Sequence, residues 1–585
     1  MNGKKDMIAY VLLTLMLIGM LFISYNTSST NDEFNHVAKG YLYLKEGEML
    51  ILSNPPLTNI ISASPLLLIN ANIPSNHTDY YLQNQFSEFA YEFMYKSLNN
   101  PREITFLSRI PSILIAAILG FMIYFLIKSI FNSSCALIAV ILYSFNPLIL
   151  GNAPIANTDF IFSALFFIAS IYLYFYFKEP SLKKTIMLGL LIGAAITAKS
   201  SGIFLLPLFG IFLIIELVSQ KKKFFMESMK IHLANIFVIG VEILIVINLV
   251  YGFQGSFQSL GTNLRSDPSQ YFDKETFNTE AVASMLSIHN PILYNIGTFV
   301  IGNVPEMLPY PFLKDIFTAF KISNDWKGGY LFGQYNPDGY GYYFPVVFFF
   351  KNPITLWILF LVGLAYLIRY YKKFKRELLY LIIPPLLLFL LFLNQRINSG
   401  ARYVMPAVFF LIIISALSIM WLEKLKHKTK KRVFIITSAL ILLTLMPIVY
   451  FPNMLSYANI LAGGPSNAHN IMADTNIDYG QDLPALKKYV EKNQIKNLSV
   501  ALYAIEDLNY YGIEYYPLSY LGEPLINGQR NLRCYPVKGI IAISVTYLHG
   551  KQEPSESCFS WLRALEPVDH VGYSILIYDT RDIED

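Results

Sequence analysis

The chain has 585 residues, a formal net charge of +5, a mean hydropathy of +0.43 and only 15% charged residues. A soluble globular domain carries about 25% charge, so an ordinary soluble protein is excluded, and the small positive excess, without a basic patch interleaved with aromatics, speaks against nucleic acid as a partner. Three cysteines exclude a dense disulfide scaffold. Cys534 and Cys558 lie in the polar C-terminal part, where their pairing in an oxidising compartment stays open, and Cys135 lies inside an apolar run.

The N-terminus, "MNGKKDMIAYVLLTLMLIGMLFISY", has a basic start and an apolar run too long for a signal peptide, with no small-x-small site after it, so it reads as an uncleaved first transmembrane helix. Further apolar runs follow near 104–126, 133–151, 159–177, 185–198, 202–218, 232–252, 354–370, 378–394, 402–422 and 433–450. With the first, near 7–25, they predict about 11 transmembrane helices, each near the length that crosses roughly 30 Å of hydrocarbon.

The connecting segments alternate in charge. Lys4 and Lys5, Lys128, Lys178 with Lys183 and Lys184, "QKKKFF" at 220–225, "RYYKKFKR" at 369–376 and "KLKHKTKKR" at 424–432 fall on one side, and the short loops between them are almost free of cations. Cytoplasmic loops collect Lys and Arg, so the expected topology has the N-terminus inside and everything after Tyr450 outside. The expected location is the cytoplasmic membrane, as a multi-pass protein.

Three outer segments are long. Residues 26–103 hold amphipathic stretches suited to the interface, 253–353 is rich in Gly, Pro, Asn and aromatics and reads as a cap, and 452–585 is water-soluble. In the last, "DLPALKKYVEKN" has helical spacing and "NLSVALYA", "GIIAISVTYL" and "YSILIYD" read as strands. The expected organisation is a polytopic α-helical catalytic domain over 1–451 and a small extracytoplasmic α/β domain over 452–585.

Ionisable side chains at a membrane are costly and usually have a partner or a task. Here Asp32, Glu33, His36, Arg109, Asp159, Lys199, Lys351, Arg396 and Arg402 gather at the outer helix ends, whereas the inner side is almost purely basic. Taken singly, each is explained as a charge solvating a helix end. Together they suggest a site with a carboxylate base and cations for an anionic group. Asp159 opens a helix, where a capping role competes with a catalytic one, and a lone His such as His36 is more often a packed residue than a ligand. The three acids form no D-x-D motif, so no metal is expected to be required, although a divalent ion is left open.

A family resemblance sharpens this. "NDEFNHVAKGYLYLKEG" with "NPPL" at 54–57 is similar to the first outer loop of the GT-C glycosyltransferases related to protein O-mannosyltransferases and lipid A aminoarabinose transferases. "NTDFIFSALFF", "AKSSGIFLLP", "GYLFGQYNPDGYGYYFPVVFFFKNPI", "INSGARYVMPAVFFL" and "LSYANILAGGP" with "DTNIDYGQDLPALKKYV" resemble later motifs of the same family in the same order. Asn54 stands where the family usually has His, Tyr479 where it commonly has Trp, and no β-trefoil insert is evident.

The resemblance implies a GT-C fold and a sugar donor carried on a polyprenyl or dolichyl phosphate. It implies that Asp32 matches the family's catalytic acid, placed to deprotonate an acceptor hydroxyl or orient it for attack, that Glu33 is its companion, and that Arg109 is a cation that holds Glu33 or the donor phosphate. Physically, transfer with inversion needs a base at the acceptor oxygen and fixed cations at the leaving phosphate, for which Arg109, Lys199, Lys351 and Arg402 are candidates. The expected partners are a polyprenyl-phosphate-linked sugar, a protein, lipid or glycan acceptor and membrane lipids. The alternative, a transporter or flippase of lipid-linked sugars, calls for inverted repeats and midplane charges, and neither is visible.

Overall fold

The computed structural model describes residues 2–49, 54–83, 85–219, 222–259, 263, 305–325, 327–393, 395–424, 427–506, 508–518, 536–549 and 558–582. Residues 260–262 and 264–304 of the segment 253–353 expected as a cap therefore lie outside the described residues, and so does Cys534. Cys558 is disulfide-bonded and Cys135 is a buried free thiol.

The chain divides into two compact units, one of residues 1–33, 105–167 and 323–585, the other of 34–104 and 168–322. Among the described residues six helices are long and apolar enough to cross a membrane: Gly3–Asn26, Pro101–Ile130, Thr158–Lys178, Ser200–Ser219, Met229–Val250 and Lys431–Tyr450. The pair Tyr343–Phe350 and Ile354–Arg369, bent by 107°, brings the number to at most seven. The sequence reading of about 11 spans counted apolar runs, and each run does fall on helix, but several are short or broken. The run 133–151 is two helices, Ser133–Ser144 and Pro147–Asn152, because Asn146 caps the second through its side chain, which accepts from Ile149 N–H, and Pro147 starts it. The run 185–198 is a helix of only 17 residues, Leu182–Ala198, ended by extended backbone at Lys199.

In the first unit the chain begins with α1 (Asn2–Asn26), and after a short loop α2 (Glu33–Glu46) starts. Then come α3 (Pro101–Ile130), which enters this unit at Thr105, α4 (Ser133–Ser144) and α5 (Pro147–Asn152), and α6 (Thr158–Lys178), which belongs to it as far as Phe167. The hairpin β1 (Gly329–Leu331) and β2 (Gln334–Asn336) precedes α7 (Tyr343–Phe350) and α8 (Ile354–Arg369). Helix α9 (Pro406–Ala416) is the centre of the core, every residue of it buried. Phe409 packs against Tyr143, Phe160 and Phe167. Gly363 lets α8 press on α9, since a Cβ there would lie 1.8 Å from the carbonyl oxygen of Ile414.

The C-terminal part of this unit holds helix α10 (Leu483–Lys492) and a five-stranded sheet in the order β4-β3-β5-β7-β6. Its strands are β3 (Leu498–Ala501), β4 (Tyr515–Pro517), β5 (Ile540–Ser544), β6 (Asp569–Val571) and β7 (Ile575–Asp579). Pairing of β3 with β4 and β5 is parallel, and of β7 with β5 and β6 antiparallel. Leu483 and Leu486 of α10 pack with Leu498, Val500, Ala542 and Ile577, so this helix and the sheet share one core.

The second unit contains the short helices Leu57–Ala63 and Phe86–Tyr95 and the long helices Leu182–Ala198 and Lys222–Val250. His36 and Lys199 belong to it.

Candidate active site

The two acids that follow the first helix have opposite environments. Glu33 starts α2 and is 1% exposed, whereas the side chain of Asp32 is 46% exposed. Glu33 reaches back to accept from the backbone N–H of Thr30 at 3.0 Å, half of a capping box, and accepts from Ala156 N–H at 2.8 Å. Its two oxygens also meet Arg109 in a two-pronged pair, Nε to Oε1 and Nη2 to Oε2, both at 2.7 Å.

Arg109 directs its other N–H groups to the end of α1 and the following loop: Ser24 O, Thr27 O and Oγ1, and Ser28 O. A cation at a helix C-terminus satisfies carbonyls that have no intrahelical partner. Its donors are thus taken up by protein acceptors in this structure, and it fixes the loop from which Asp32 projects.

Lys351 has a similar fate. At the bend between α7 and α8 its Nζ donates to the carbonyls of Leu455 and Tyr457, each at 2.6 Å, and of Asn476 at 2.7 Å, in a site only 2% exposed. An ammonium has three donors, so all three serve to hold the segment 455–476.

Arg402 instead faces the acids. It sits in the single 3₁₀ turn Ala401–Val404 behind Gly400, whose φ of +92° and distance of 2.4 Å from a would-be Cβ to Thr475 Oγ1 admit no side chain. The turn is held by Ala401 N–H on Asn476 Oδ1 and by Gly400 N–H on the Tyr343 hydroxyl, which also accepts from Asn476 Nδ2. Arg402 Nη1 donates to Asp32 Oδ2 at 2.9 Å, to Asp159 Oδ2 at 3.2 Å and to the Tyr479 hydroxyl. The guanidinium also lies 4.6 Å from the Tyr479 ring centroid. Asp159, in the first turn of α6, is 3% exposed, and Asn157 caps that helix by accepting from Asp159 N–H.

Seven of the residues singled out in the sequence therefore lie in the first unit, and five of them, Asp32, Glu33, Arg109, Asp159 and Arg402, form two linked ion-pair groups, with Asp32 the one acid among the three that solvent reaches. His36 is a packed residue of the second unit, its Nδ1 2.9 Å from Asn59 Oδ1. Lys199 ends a helix there and is half-buried. Arg396 is an exposed residue near Asp338. Tyr479 was visible in the sequence only as a departure from the family motif. Among the described residues no cluster of three His, Cys, Asp or Glu side chains is placed to hold a metal ion.

The segment Asp478–Asp482 backs the site. Ser28 N–H donates to Gln481 O at 3.0 Å and Asn31 N–H to Tyr479 O at 3.1 Å, so the acid-bearing loop is paired with it, while Ser29 N–H binds Glu506 Oε1 at 2.7 Å. Burial pushes the carboxyls of Asp478 and Asp482 up to about 7 and raises that of Glu506.

The family model described as dolichyl-phosphate-mannose-protein mannosyltransferase matches residues 104–247, a stretch that contains Arg109, Asp159 and Lys199. That stretch of the chain is similar to this mannosyltransferase family. With six helices long and apolar enough to cross a membrane among its described residues, the chain is a multi-pass membrane protein. No finding supports the transporter alternative. Two solved structures are similar to the chain: ArnT from Cupriavidus metallidurans bound to undecaprenyl phosphate, at 10% identity and TM-score 0.45 over 97% of each chain, and the same protein in the apo state, at 12% identity and TM-score 0.41 over 97% of this chain and 96% of that one. No curated protein matches the chain.

Proposed function

We propose that the protein moves a sugar from a polyprenyl- or dolichyl-phosphate donor to a hydroxyl of an acceptor outside the cytoplasmic membrane, with Asp32 as the base. The observation that carries this reading is the contrast between the acids: Glu33 and Asp159 are buried and bound, whereas Asp32 is half-exposed beside a cation. Asp32 takes the proton of the acceptor hydroxyl as its oxygen bonds to the anomeric carbon. The bond from that carbon to the phosphate oxygen breaks, and the lipid phosphate leaves with the electron pair.

Glu33 and Arg109 organise the loop, and Arg402, aligned by Asp159, supplies positive charge near the reacting groups. In this reading residues 1–451 are the catalytic membrane domain with a cytoplasmic N-terminus, and 452–585 lie outside. The acceptor is a protein, lipid or glycan, and the sugar a hexose or pentose.

The test is reconstitution of the purified protein in liposomes that contain a polyprenyl-phosphate-linked sugar labelled in the sugar, with a membrane-protein and glycolipid extract as acceptor. Transfer of label from the lipid to acceptor supports the proposal. Label that stays on the lipid while crossing the bilayer supports the transporter reading instead.

A further inference from the structure

Tyr479 touches the acid-bearing loop twice. Its backbone carbonyl accepts from Asn31 N–H at 3.1 Å, and its hydroxyl donates to Asp32 Oδ2 while it accepts from Arg402 Nη1. The residue is 1% exposed, and it packs with Ile155 and Leu455. Next to it, Gly480 passes so close to the loop that a Cβ would lie 3.1 Å from Asn31 Oδ1, with φ at +83°. The ring is therefore held from its own backbone outward.

Burial raises the tyrosine hydroxyl well above its ordinary value, so at neutral pH it keeps its proton and acts as a donor. Arg402 Nη1 and the Tyr479 hydroxyl both engage the same oxygen of Asp32. Two fixed donors on one oxygen set the rotation of a carboxylate that is otherwise half in solvent.

We propose that Tyr479 is a positioning residue of the active site, one that holds the Asp32 carboxylate in a single orientation toward the acceptor and makes the C-terminal segment 478–482 a working part of the site. The proposal rests on Asp32 being the base. Tyr479 is 1% exposed and its hydroxyl is engaged by Asp32 and Arg402, so in this role it acts on the rate and on its pH dependence and leaves donor affinity alone. The charged and titratable groups that face Asp32 are Arg402 and Tyr403 on the 401–404 turn, Asp159 on α6 and Tyr479 itself, with Asp474 in range of Tyr403 and the paired Glu33 and Arg109 one residue along the loop.

The experiment is the pH profile of kcat/KM for sugar transfer by the full-length protein in detergent, for Tyr479→Phe and for protein with 3-fluorotyrosine at 479. Loss of a hydrogen bond to the charged form shifts the acidic limb of Tyr479→Phe up by about one pH unit, with kcat about 10-fold or more lower and KM for the donor unchanged. The stronger donor 3-fluorotyrosine, nearly the same size, shifts the limb down and decides the matter if the Phe variant does not fold. A limb that stays in place in these proteins, or a change in donor KM alone, overturns the proposal. Asp32→Asn separates the two layers: if that variant transfers sugar normally, the assignment of Asp32 falls, whereas an inactive Asp32→Asn with an unmoved Tyr479 profile refutes only the role of Tyr479.

Discussion

Glu33 and Arg109 form a buried ion pair with both prongs at 2.7 Å, and each is 1% exposed. The pair joins the start of α2 to the end of α1, the two helices that flank Asp32. Breaking a buried pair by removing one partner leaves an uncompensated charge, at a cost of about 3–5 kcal/mol. Glu33→Gln and Arg109→Met should each lower stability by about that amount, measured by thermal denaturation in detergent. The double variant should lose less than the sum of the two, since no charge is left stranded.

Lys351 offers a contrast between two roles for a cation. Its three donors are on three backbone carbonyls, and hydrogen bonds from charged groups contribute about 1.5–3 kcal/mol each. Lys351→Met should reduce stability by about 3 kcal/mol or more. In the folded fraction KM for the donor should be unchanged, as measured by initial rates at a series of donor concentrations. A raised KM with intact stability would instead place Lys351 at the donor phosphate.

The pH dependence of stability follows from the buried acids behind the site. Burial, reinforced by Asp478, pushes the Asp482 carboxyl from its ordinary 3.8 up to about 7. The folded state therefore holds the proton more tightly than the unfolded chain. This contribution is fully present below the unfolded value, fades as pH rises, and is gone above about 7. Asp482 accepts from Ser574 Oγ at 2.6 Å and Gln481 Nε2 at 3.1 Å, both on Oδ2, an arrangement that an amide oxygen can keep. The melting temperature of the native protein should fall between pH 5 and pH 8, and Asp482→Asn should flatten that fall. Equal slopes for the two proteins would count against a buried, proton-holding Asp482.

The helices and strands of this molecule were readable from apolar periodicity, for reasons that hold element by element. The run 7–25 is one long helix, and the three strands foreseen in the C-terminal part are β3, β5 and β7. The number of spans was not readable, because a break such as Phe145 to Pro147 or the bend at Lys351 to Pro353 interrupts an apolar run without changing its composition. Within the site, the gathering of Asp32, Glu33, Arg109, Asp159 and Arg402 was legible as opposite charges at one end of the helices. The division of labour among the cations was not. Lys351 is satisfied by backbone carbonyls and Arg109 in part by them, and every residue has one, so no letter of the sequence marks those acceptors.

The central claim is that Asp32, the solvent-reached acid of the three, takes the acceptor proton. The most direct measurement is kcat for transfer from a polyprenyl-phosphate sugar by Asp32→Asn, with its melting temperature taken on the same preparation. The amide keeps the shape of the side chain but cannot accept the proton at neutral pH, and general-base catalysis supplies about 10²–10⁴-fold. The expected result is a drop in kcat within or beyond that range, with a melting temperature close to that of the native protein. A folded Asp32→Asn variant that transfers sugar at a rate near the native one would contradict the account.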